Sequence, residues 1–270
     1  MNRIDSIFAE LRSSGRRALM PFITAGYPTL ETTGAILPAL QEAGASICEI
    51  GIPFSDPIAD GPVIQASMTH ALNNKIQLEG IFETVAGLRS GLSIGLIAMV
   101  SYSIVNRVGA EAFIDRAKRA GFDGFIFPDL PLEEAPETAR LVKGAGLSFS
   151  LLIAPTTPDD RAAEIARLCS GFVYVLARSG ITGERADLPV DLIDRLAKLR
   201  KITDLPIAVG FGISSAEHVR SVTAADAADA AIVGSALVKH ITKHIDESPG
   251  EIAGAVKAFA AELAGGLERG

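Results

Sequence analysis

The stretch Ala18–Gly51, ALMPFITAGYPTLETTGAILPALQEAGASICEIG, contains the pattern that decides the fold. Its two ends, Ala18–Thr24 and Ser46–Gly51, are short and mostly apolar, which is typical of buried strands. Between them, Leu30–Ala43 carries apolar residues at helical spacing. A strand, a helix and a second strand in this order predict a β-α-β unit with parallel strands.

The same alternation continues along the whole chain. Apolar runs predict strands at Ala18–Thr24, Ser46–Gly51, Ile94–Ser101, Gly124–Phe127, Ser148–Ile153, Phe172–Leu176, Pro206–Val209 and Ala228–Val233. The predicted helices between them include Leu30–Ala43, Ala110–Ala120, Glu133–Gly144, Asp159–Cys169 and Val190–Arg200. We therefore predict an α/β fold, a (β/α)8 TIM barrel with additional terminal helices, in which residues 1–270 form a single domain.

A doubly wound sheet is the alternative architecture. Such a fold needs no eighth strand and usually carries GxGxxG after its first strand, where this chain has Thr24–Pro28, TAGYP. The length of 270 residues also fits the roughly 250 residues of one barrel. The barrel is therefore the preferred prediction.

Composition limits the possible partners and compartments. The formal net charge is −7 and no basic block is present, which argues against binding nucleic acid. The apolar stretch Ile94–Val100 is far shorter than the roughly 20 residues of a membrane span, and the amino terminus lacks the apolar core of a leader. We expect a cytoplasmic protein in which Cys48 and Cys169 are free, buried thiols.

Two carboxylates break the apolar pattern. Glu49 lies inside a predicted strand, near the carboxyl end at which barrel enzymes place catalytic groups. Asp60 follows in a loop rich in proline and glycine, from which it can return over the barrel mouth. A structural ion pair is the alternative role for Glu49, and capping of the helix predicted at Pro62–Leu72 is the alternative for Asp60.

Glycine-rich loops follow three neighbouring predicted strands. Gly180 and Gly183 follow the sixth strand, Gly210–Ser214 the seventh, and Gly234–Leu237 the eighth. Loops at these positions commonly bind phosphate in barrels, although each glycine alone could serve only a turn. The long connection at residues 177–189 is interpreted as a lid over bound ligand.

Other catalytic groups are poorly placed. No lysine lies in a predicted strand, as a Schiff-base site inside the barrel requires, and all four histidines fall in helical stretches. His240 and His244 are four residues apart, but they lie beside Lys239 and Lys243 on what is predicted to be a solvated helix face, so we expect no metal site. A carboxylate-only site acting on a phosphorylated ligand remains. Such a site can cleave a carbon–carbon bond only if the substrate supplies its own electron sink.

These residues resemble the tryptophan synthase alpha subunit family over essentially the whole chain. The matching segments are PFITAGYP at 21–28, EIGIPFSDPIADGPVIQ at 49–65, PDLP at 128–131, SGITG at 179–183, GFGIS at 210–214 and GSALVK at 234–239. The resemblance implies a lyase that splits indole-3-glycerol phosphate by a retro-aldol reaction into indole and glyceraldehyde 3-phosphate. In that reaction the indole ring is the electron sink.

The resemblance also implies roles for individual residues. Glu49 is the implied general acid and base. Asp60 is the implied hydrogen-bond acceptor for the N–H of the indole ring. The implied ligand contacts are Phe22, Ile64, Val100 and Tyr174 around indole and glycerol, Thr182 and Gly183 in a mobile loop, and Gly183, Phe211, Gly212, Gly234 and Ser235 at the phosphate.

A partner is implied as well. Members of the family pass indole to a beta subunit within an alpha2beta2 heterotetramer. Pyridoxal phosphate belongs to that subunit, so no cofactor is expected in this chain. Pro53 and Asp56 match the face that meets beta, whereas Ser103-Ile104 and Ala177 depart from the common family pattern. A stand-alone indole-3-glycerol phosphate lyase and a non-catalytic, sugar-phosphate-binding regulatory subunit are the alternative functions.

Overall fold

The computed structural model describes residues 2–57, 60–177, 191–210, 212–224 and 227–267. The described strands are β1 (Ala18–Thr24), β2 (Ile47–Gly51), β3 (Gly95–Met99), β4 (Gly124–Ile126), β5 (Ser148–Ser150), β6 (Leu152–Ile153), β7 (Val173–Leu176), β8 (Ile207–Gly210) and β9 (Ala230–Val233). All of them are short, and their residues are almost entirely buried. This burial is what the apolar runs predict for strands covered on both faces.

Helices alternate with the strands. The described α-helices are α1 (Arg3–Ser13), α2 (Leu30–Glu42), α3 (Pro62–Asn73), α4 (Leu78–Leu88), α5 (Tyr102–Val108), α6 (Ala110–Ala120), α7 (Ala135–Gly144), α8 (Asp159–Leu168), α9 (Leu192–Arg200), α10 (Ala216–Thr223), α11 (Ser235–Lys243) and α12 (Pro249–Ala264). Capping boxes begin the two terminal helices, at Asn2 with Asp5 and at Ser248 with Glu251. Within the described residues, the ends of the predicted helices agree with the structure to within two residues.

The strands form one parallel sheet in the order β5-β4-β3-β2-β1-β9-β8-β7-β6. The two strands at the ends of this order are separated in the chain only by Leu151, so the sheet curves round on itself. The predicted TIM barrel is thereby confirmed. The fifth predicted strand is divided at Leu151, whose carbonyl accepts a hydrogen bond from Tyr174 N at 3.3 Å, and this division makes nine strands of the eight predicted.

The register of the sheet sets the positions of the site residues. Glu49 of β2 pairs with Phe22 of β1 on one side and with Ile97 of β3 on the other. Glu49 therefore occupies the middle of β2, with buried strands on both sides of it. Across the residues that the structure describes, no helix is both long enough and apolar enough to cross a membrane.

Candidate active site

Glu49 is a buried acid with no hydrogen-bond partner in the part of the chain that the structure describes. Its exposed fraction is 0%, and neither carboxyl oxygen has a hydrogen-bond partner among the described residues. Burial raises its pKa well above the usual value, because the charged form loses its hydration. The shift favours the protonated carboxyl group, which can donate a proton. The alternative structural ion pair is not found within the described parts of the chain.

Asp60 reaches the same space from the loop before α3. Its backbone N–H donates to Pro57 O at 3.0 Å, and its carbonyl accepts from Gln65 Nε2 at 2.8 Å. The N-cap of α3 is Gly61, and no side chain caps the helix within the described residues, so the capping alternative for Asp60 is wrong. Burial raises the pKa of Asp60 to about 6, which leaves its side chain mostly ionised at neutral pH.

Both carboxyl groups line one cavity of about 280 Å³ at the carboxyl ends of the strands. Its described lining comprises Phe22, Glu49, Asp60, Gly61, Pro62, Val63, Ile64, Met99, Pro128, Leu152, Tyr174, Leu176, Gly212, Ile213, Ser214, Ile232, Gly234, Ser235, Ala236 and Lys239. Most of these side chains are apolar, and a few polar groups converge among them, which is typical of a small-molecule site. Burial favours the protonated form of Glu49, whereas Asp60 is mostly ionised at neutral pH, and this difference suits a site that both gives a proton and stabilises a cation.

Two glycines allow aromatic rings to lie at the cavity wall. A Cβ on Gly51 would overlap the ring of Phe22, and a Cβ on Gly210 would overlap the ring of Tyr174. Tyr174 is only 3% exposed. Burial raises the pKa of its hydroxyl far above the usual value, and the nearby Glu49 and Asp60 raise it further. Tyr174 therefore remains a neutral phenol beside the two acids.

One end of the cavity is suited to an anion. Gly212 and Ser214 follow β8, while Gly234 and Ser235 lie where β9 gives way to α11, and all four line the cavity. No side chain caps α11 within the described residues, so its first backbone N–H groups are available to a ligand. Three predicted site residues, Thr182, Gly183 and Phe211, lie outside the described residues, as do Gly180 and most of the predicted lid.

The remaining predicted residues that the structure describes are not among the lining residues of the cavity. Val100 is buried but is not among the described lining residues, whereas its neighbour Met99 is. Pro53 is buried and Asp56 is exposed on the loop after β2. Sequence reasoning missed Met99, Leu152 and Ile232 as lining residues, although their places at strand ends are a usable signal.

Ser103, one of the departures from the expected pattern, takes part in a local group of hydrogen bonds through Ser101. Ser101 Oγ lies 2.8 Å from Ser103 Oγ and also donates to Asp129, while Tyr102 N donates to Asp129 Oδ1 at 2.8 Å. These bonds tie the loop after β3 to the loop after β4. Hydrogen bonds therefore hold the segment that contains Ser103.

No cluster of three or more potential metal ligands occurs among the described residues. The expectation that His240 lies on a solvated face is wrong. Its ring stacks on Phe259 with centroids 4.7 Å apart, and its Nε2 lies 3.2 Å from Ala255 O. The sequence pattern of α11 alone did not show that α12 packs against this side. None of the described strands contains a lysine, as the sequence predicted, although Lys239 of α11 lines the cavity.

Comparison with known proteins identifies the family. The family model for the tryptophan synthase alpha chain matches residues 8–266. This chain belongs to the tryptophan synthase alpha chain family. The family member from Rhodopirellula baltica is 42% identical over 97% of this chain and 95% of its own length. The member from Chloroflexus aggregans is 44% identical over 100% of this chain and 99% of its own length.

Solved structures of the family share the barrel. A structure of Mycobacterium tuberculosis tryptophan synthase matches with a TM-score of 0.89 at 30% identity, covering 100% of this chain and 99% of that chain. The alpha subunit from Legionella pneumophila matches with a TM-score of 0.86 at 33% identity, covering 99% and 98% of the two chains. The predicted family and fold are thus confirmed over the full length.

Proposed function

We propose that this chain cleaves indole-3-glycerol phosphate to indole and glyceraldehyde 3-phosphate, with Glu49 and Asp60 as the catalytic pair. The observation that carries the proposal is the fully buried, unpartnered Glu49 carboxyl in the same cavity as Asp60. Burying a polar group without a hydrogen-bond partner is costly, and such costs are concentrated at functional sites. Membership of the tryptophan synthase alpha chain family supports the substrate.

The first step is protonation of the indole ring. The neutral Glu49 carboxyl donates its proton to ring carbon C3, which carries the glycerol chain. The ring nitrogen then acquires iminium character, so the positive charge is formed inside the ring. The raised pKa of Glu49 favours this step, because the buried carboxyl group keeps its proton to a higher pH than an exposed one does.

Asp60 stabilises that positive charge. With a pKa of about 6, its carboxylate is mostly ionised at neutral pH and accepts a hydrogen bond from the ring N–H. The interaction strengthens as the ring becomes cationic, so it lowers the energy of the transition state more than that of bound substrate. The apolar wall formed by Phe22, Ile64 and Met99 suits the faces of the indole ring.

The second step breaks the carbon–carbon bond. The Glu49 carboxylate accepts the proton of the glycerol hydroxyl next to C3, and the hydroxyl oxygen becomes the aldehyde carbonyl oxygen. The electron pair of the broken bond returns to the ring and restores neutral indole. Glu49 is protonated again, so the cycle needs no metal, lysine adduct or external acid.

The second part of the proposal concerns the partner. We propose that indole passes to a beta subunit that carries pyridoxal phosphate, in an alpha2beta2 assembly. The loop that carries Pro53 and Asp56 leads from Glu49 at one end to Asp60 at the other. A partner that contacts this loop can therefore influence both acids. A stand-alone lyase would use the same acids but would gain nothing from the beta subunit.

The test is the variant Glu49→Gln, which keeps the shape of the side chain but cannot donate the proton. We expect indole release to fall by about 10²-fold to 10⁴-fold or more, the usual contribution of a general acid and base. Substrate binding, measured by calorimetry, should persist. Glu83→Gln is the matched control, since Glu83 is exposed on α4 and should retain wild-type turnover.

Each assay is run with and without the beta subunit. Stimulation by beta supports the assembly, and equal rates in both conditions favour the stand-alone lyase. Full activity of Glu49→Gln overturns the assignment of Glu49. Binding of substrate without any turnover by the wild-type chain, even with beta, favours the regulatory subunit instead.

A further inference from the structure

The end of the cavity that is suited to an anion has a cationic side chain that the proposed chemistry does not use. Among the described lining residues, only Glu49, Asp60 and Lys239 carry acidic or basic side chains. The two acids serve the indole ring in the mechanism above. Lys239 is therefore the one described cationic side chain in the wall of the cavity.

Lys239 lies at the end of the cavity that is suited to phosphate. It follows Ser235 by four residues in α11, so both side chains share one face of the helix. Ser235, Ala236 and Lys239 all line the cavity. The sequence pattern placed Lys239 on a solvated face, and the structure shows a residue that is exposed yet also borders the cavity.

A phosphate monoester needs more than backbone dipoles at this end. The ester carries a charge of about −1.5 to −2 at neutral pH, and the ionised Asp60 in the same cavity repels it. The N-terminus of α11 supplies only about half a positive charge. The ammonium of Lys239, one turn along α11, adds positive charge at this end of the cavity. The ammonium has three N–H donors, so the interaction that Lys239 makes elsewhere in the chain leaves room for a phosphate oxygen.

We propose that Lys239 is the residue of this chain that selects phosphorylated over unphosphorylated ligands, by placing its ammonium at the phosphate end of the cavity. The inference rests on the proposed function, because that function supplies the phosphorylated substrate. Lys239 acts on binding and not on the proton transfers, since the phosphate does not react. Because the side chain of Lys239 is long, flexible and exposed, its contribution to ligand binding should be moderate and sensitive to salt.

The experiment compares Lys239→Gln with Lys243→Gln. Both remove one positive charge from α11, but Lys243 is exposed and is not among the described lining residues. We expect Lys239→Gln to raise the KM for indole-3-glycerol phosphate about threefold to tenfold, the range for a partly exposed charged contact. The kcat should stay within about twofold of wild type, because the proton transfers do not involve Lys239.

Three further readouts separate this role from a structural one. Lys239→Arg should restore the KM of wild type to within about twofold, since it keeps the charge. Raising the salt concentration should weaken substrate binding by the wild type more than by Lys239→Gln. Calorimetry with glycerol 3-phosphate should show weaker binding to Lys239→Gln, whereas binding of indole should be unchanged.

Two results would overturn the inference. The first is equal affinity of wild type and Lys239→Gln for glycerol 3-phosphate, and the second is an equal loss in Lys243→Gln, which would indicate a general effect of net charge. The calorimetry does not depend on turnover. Failure of the proposed lyase reaction appears separately, as a wild-type chain that binds glycerol 3-phosphate but releases no indole.

Discussion

The two ends of the barrel hold their acidic side chains in opposite ways. At the amino ends of the strands, Asp123 directly precedes β4 and accepts hydrogen bonds from Arg3 Nε at 3.2 Å, Arg89 Nη1 at 3.2 Å and Leu96 N at 2.9 Å. Glu49, in the middle of β2, lines the cavity that opens at the carboxyl ends and has no hydrogen-bond partner among the described residues. Both are acids largely removed from water, and only the first is compensated.

A second acid at the amino end repeats the pattern. Asp229 directly precedes β9 and accepts hydrogen bonds from Arg12 Nη2 at 3.4 Å, Ile207 N at 2.9 Å and Arg200. These bonds join α1, α9 and the starts of two strands. The two ends of this barrel therefore have different roles. Acids paired with arginines at one end hold the elements together, whereas Glu49 on the other side has no hydrogen-bond partner among the described residues and lines the cavity.

The largest effect on stability is expected from Asp123→Ala. The change leaves Arg89 and the Leu96 N–H without this acceptor, although Arg89 keeps the carbonyls of Leu92 and Ile94. We expect the free energy of unfolding to fall by about 2–3 kcal/mol, less than for a fully buried pair because Arg3 is half-exposed. Urea denaturation measures the loss, and kcat for indole release should be retained.

The matched control for this variant is Asp115→Ala. Asp115 pairs with Arg119 on the surface of α6, where both side chains are more than half exposed. Its loss should cost no more than about 0.5 kcal/mol. If Asp123→Ala behaved like this control, or lost turnover while remaining folded, the proposed division between the two ends of the barrel would fail.

A smaller effect is expected in the pH dependence of the site. Because the pKa of Asp60 is about 6, kcat/KM should fall about tenfold from its plateau at one pH unit below that value. At alkaline pH it should fall again as Glu49 loses its proton, since the donor must be protonated. Measuring indole release from pH 5 to 9 at constant ionic strength tests both limbs.

The control for the acid limb is Asp60→Asn. The second ionisation of a phosphate ester also lies near pH 6, so the substrate itself can titrate in this range. In Asp60→Asn we expect lower activity and a flat profile below neutral pH. If kcat/KM of this variant still falls at acid pH, the fall is caused by protonation of the substrate phosphate. That result argues against the role of Asp60.

The smallest effect is expected in the pH dependence of stability. Burial raises the pKa of Glu49 in the folded state above its unfolded value of 4.5, so the folded state binds the proton more tightly. Its contribution to stability is therefore complete below pH 4.5 and is lost as the pH rises. Relative to wild type, Glu49→Gln should therefore gain Tm as the pH rises above 4.5.

Thermal melts of both proteins across this range measure the gain. Glu83→Gln should show no such trend, because Glu83 is exposed. A constant difference in Tm between wild type and Glu49→Gln at every pH would mean that Glu49 does not titrate abnormally. That result would remove the electrostatic contrast between the two ends of the barrel.

Much of the site could be predicted because its signals are local. Glu49 is an acid within an apolar run, and a strand that is buried on both faces makes any acid in it conspicuous. Asp60 follows eleven residues later in a loop that returns to the same cavity. The glycines after β8 and β9 are likewise visible as short motifs.

The remaining parts of the site depend on long-range packing. The break of the fifth strand at Leu151, the stacking of His240 on Phe259, and the place of Lys239 in the cavity wall all involve elements distant in the chain. The sequence pattern of α11 predicts which side chains share a face of the helix. The pattern does not predict which face packs against α12 and which face lines the cavity.

The sequence by itself determined the α/β alternation, the barrel and the two acids, because periodicity and a misplaced polar residue are properties of short segments. Only the tertiary structure decided which acids are paired and which are not. Pairing depends on whether an arginine from a distant element reaches the carboxylate, as Arg3 reaches Asp123 across 120 residues of chain. Burial, and with it the raised pKa of Glu49, results from closure of the sheet and exists only once the strands have met.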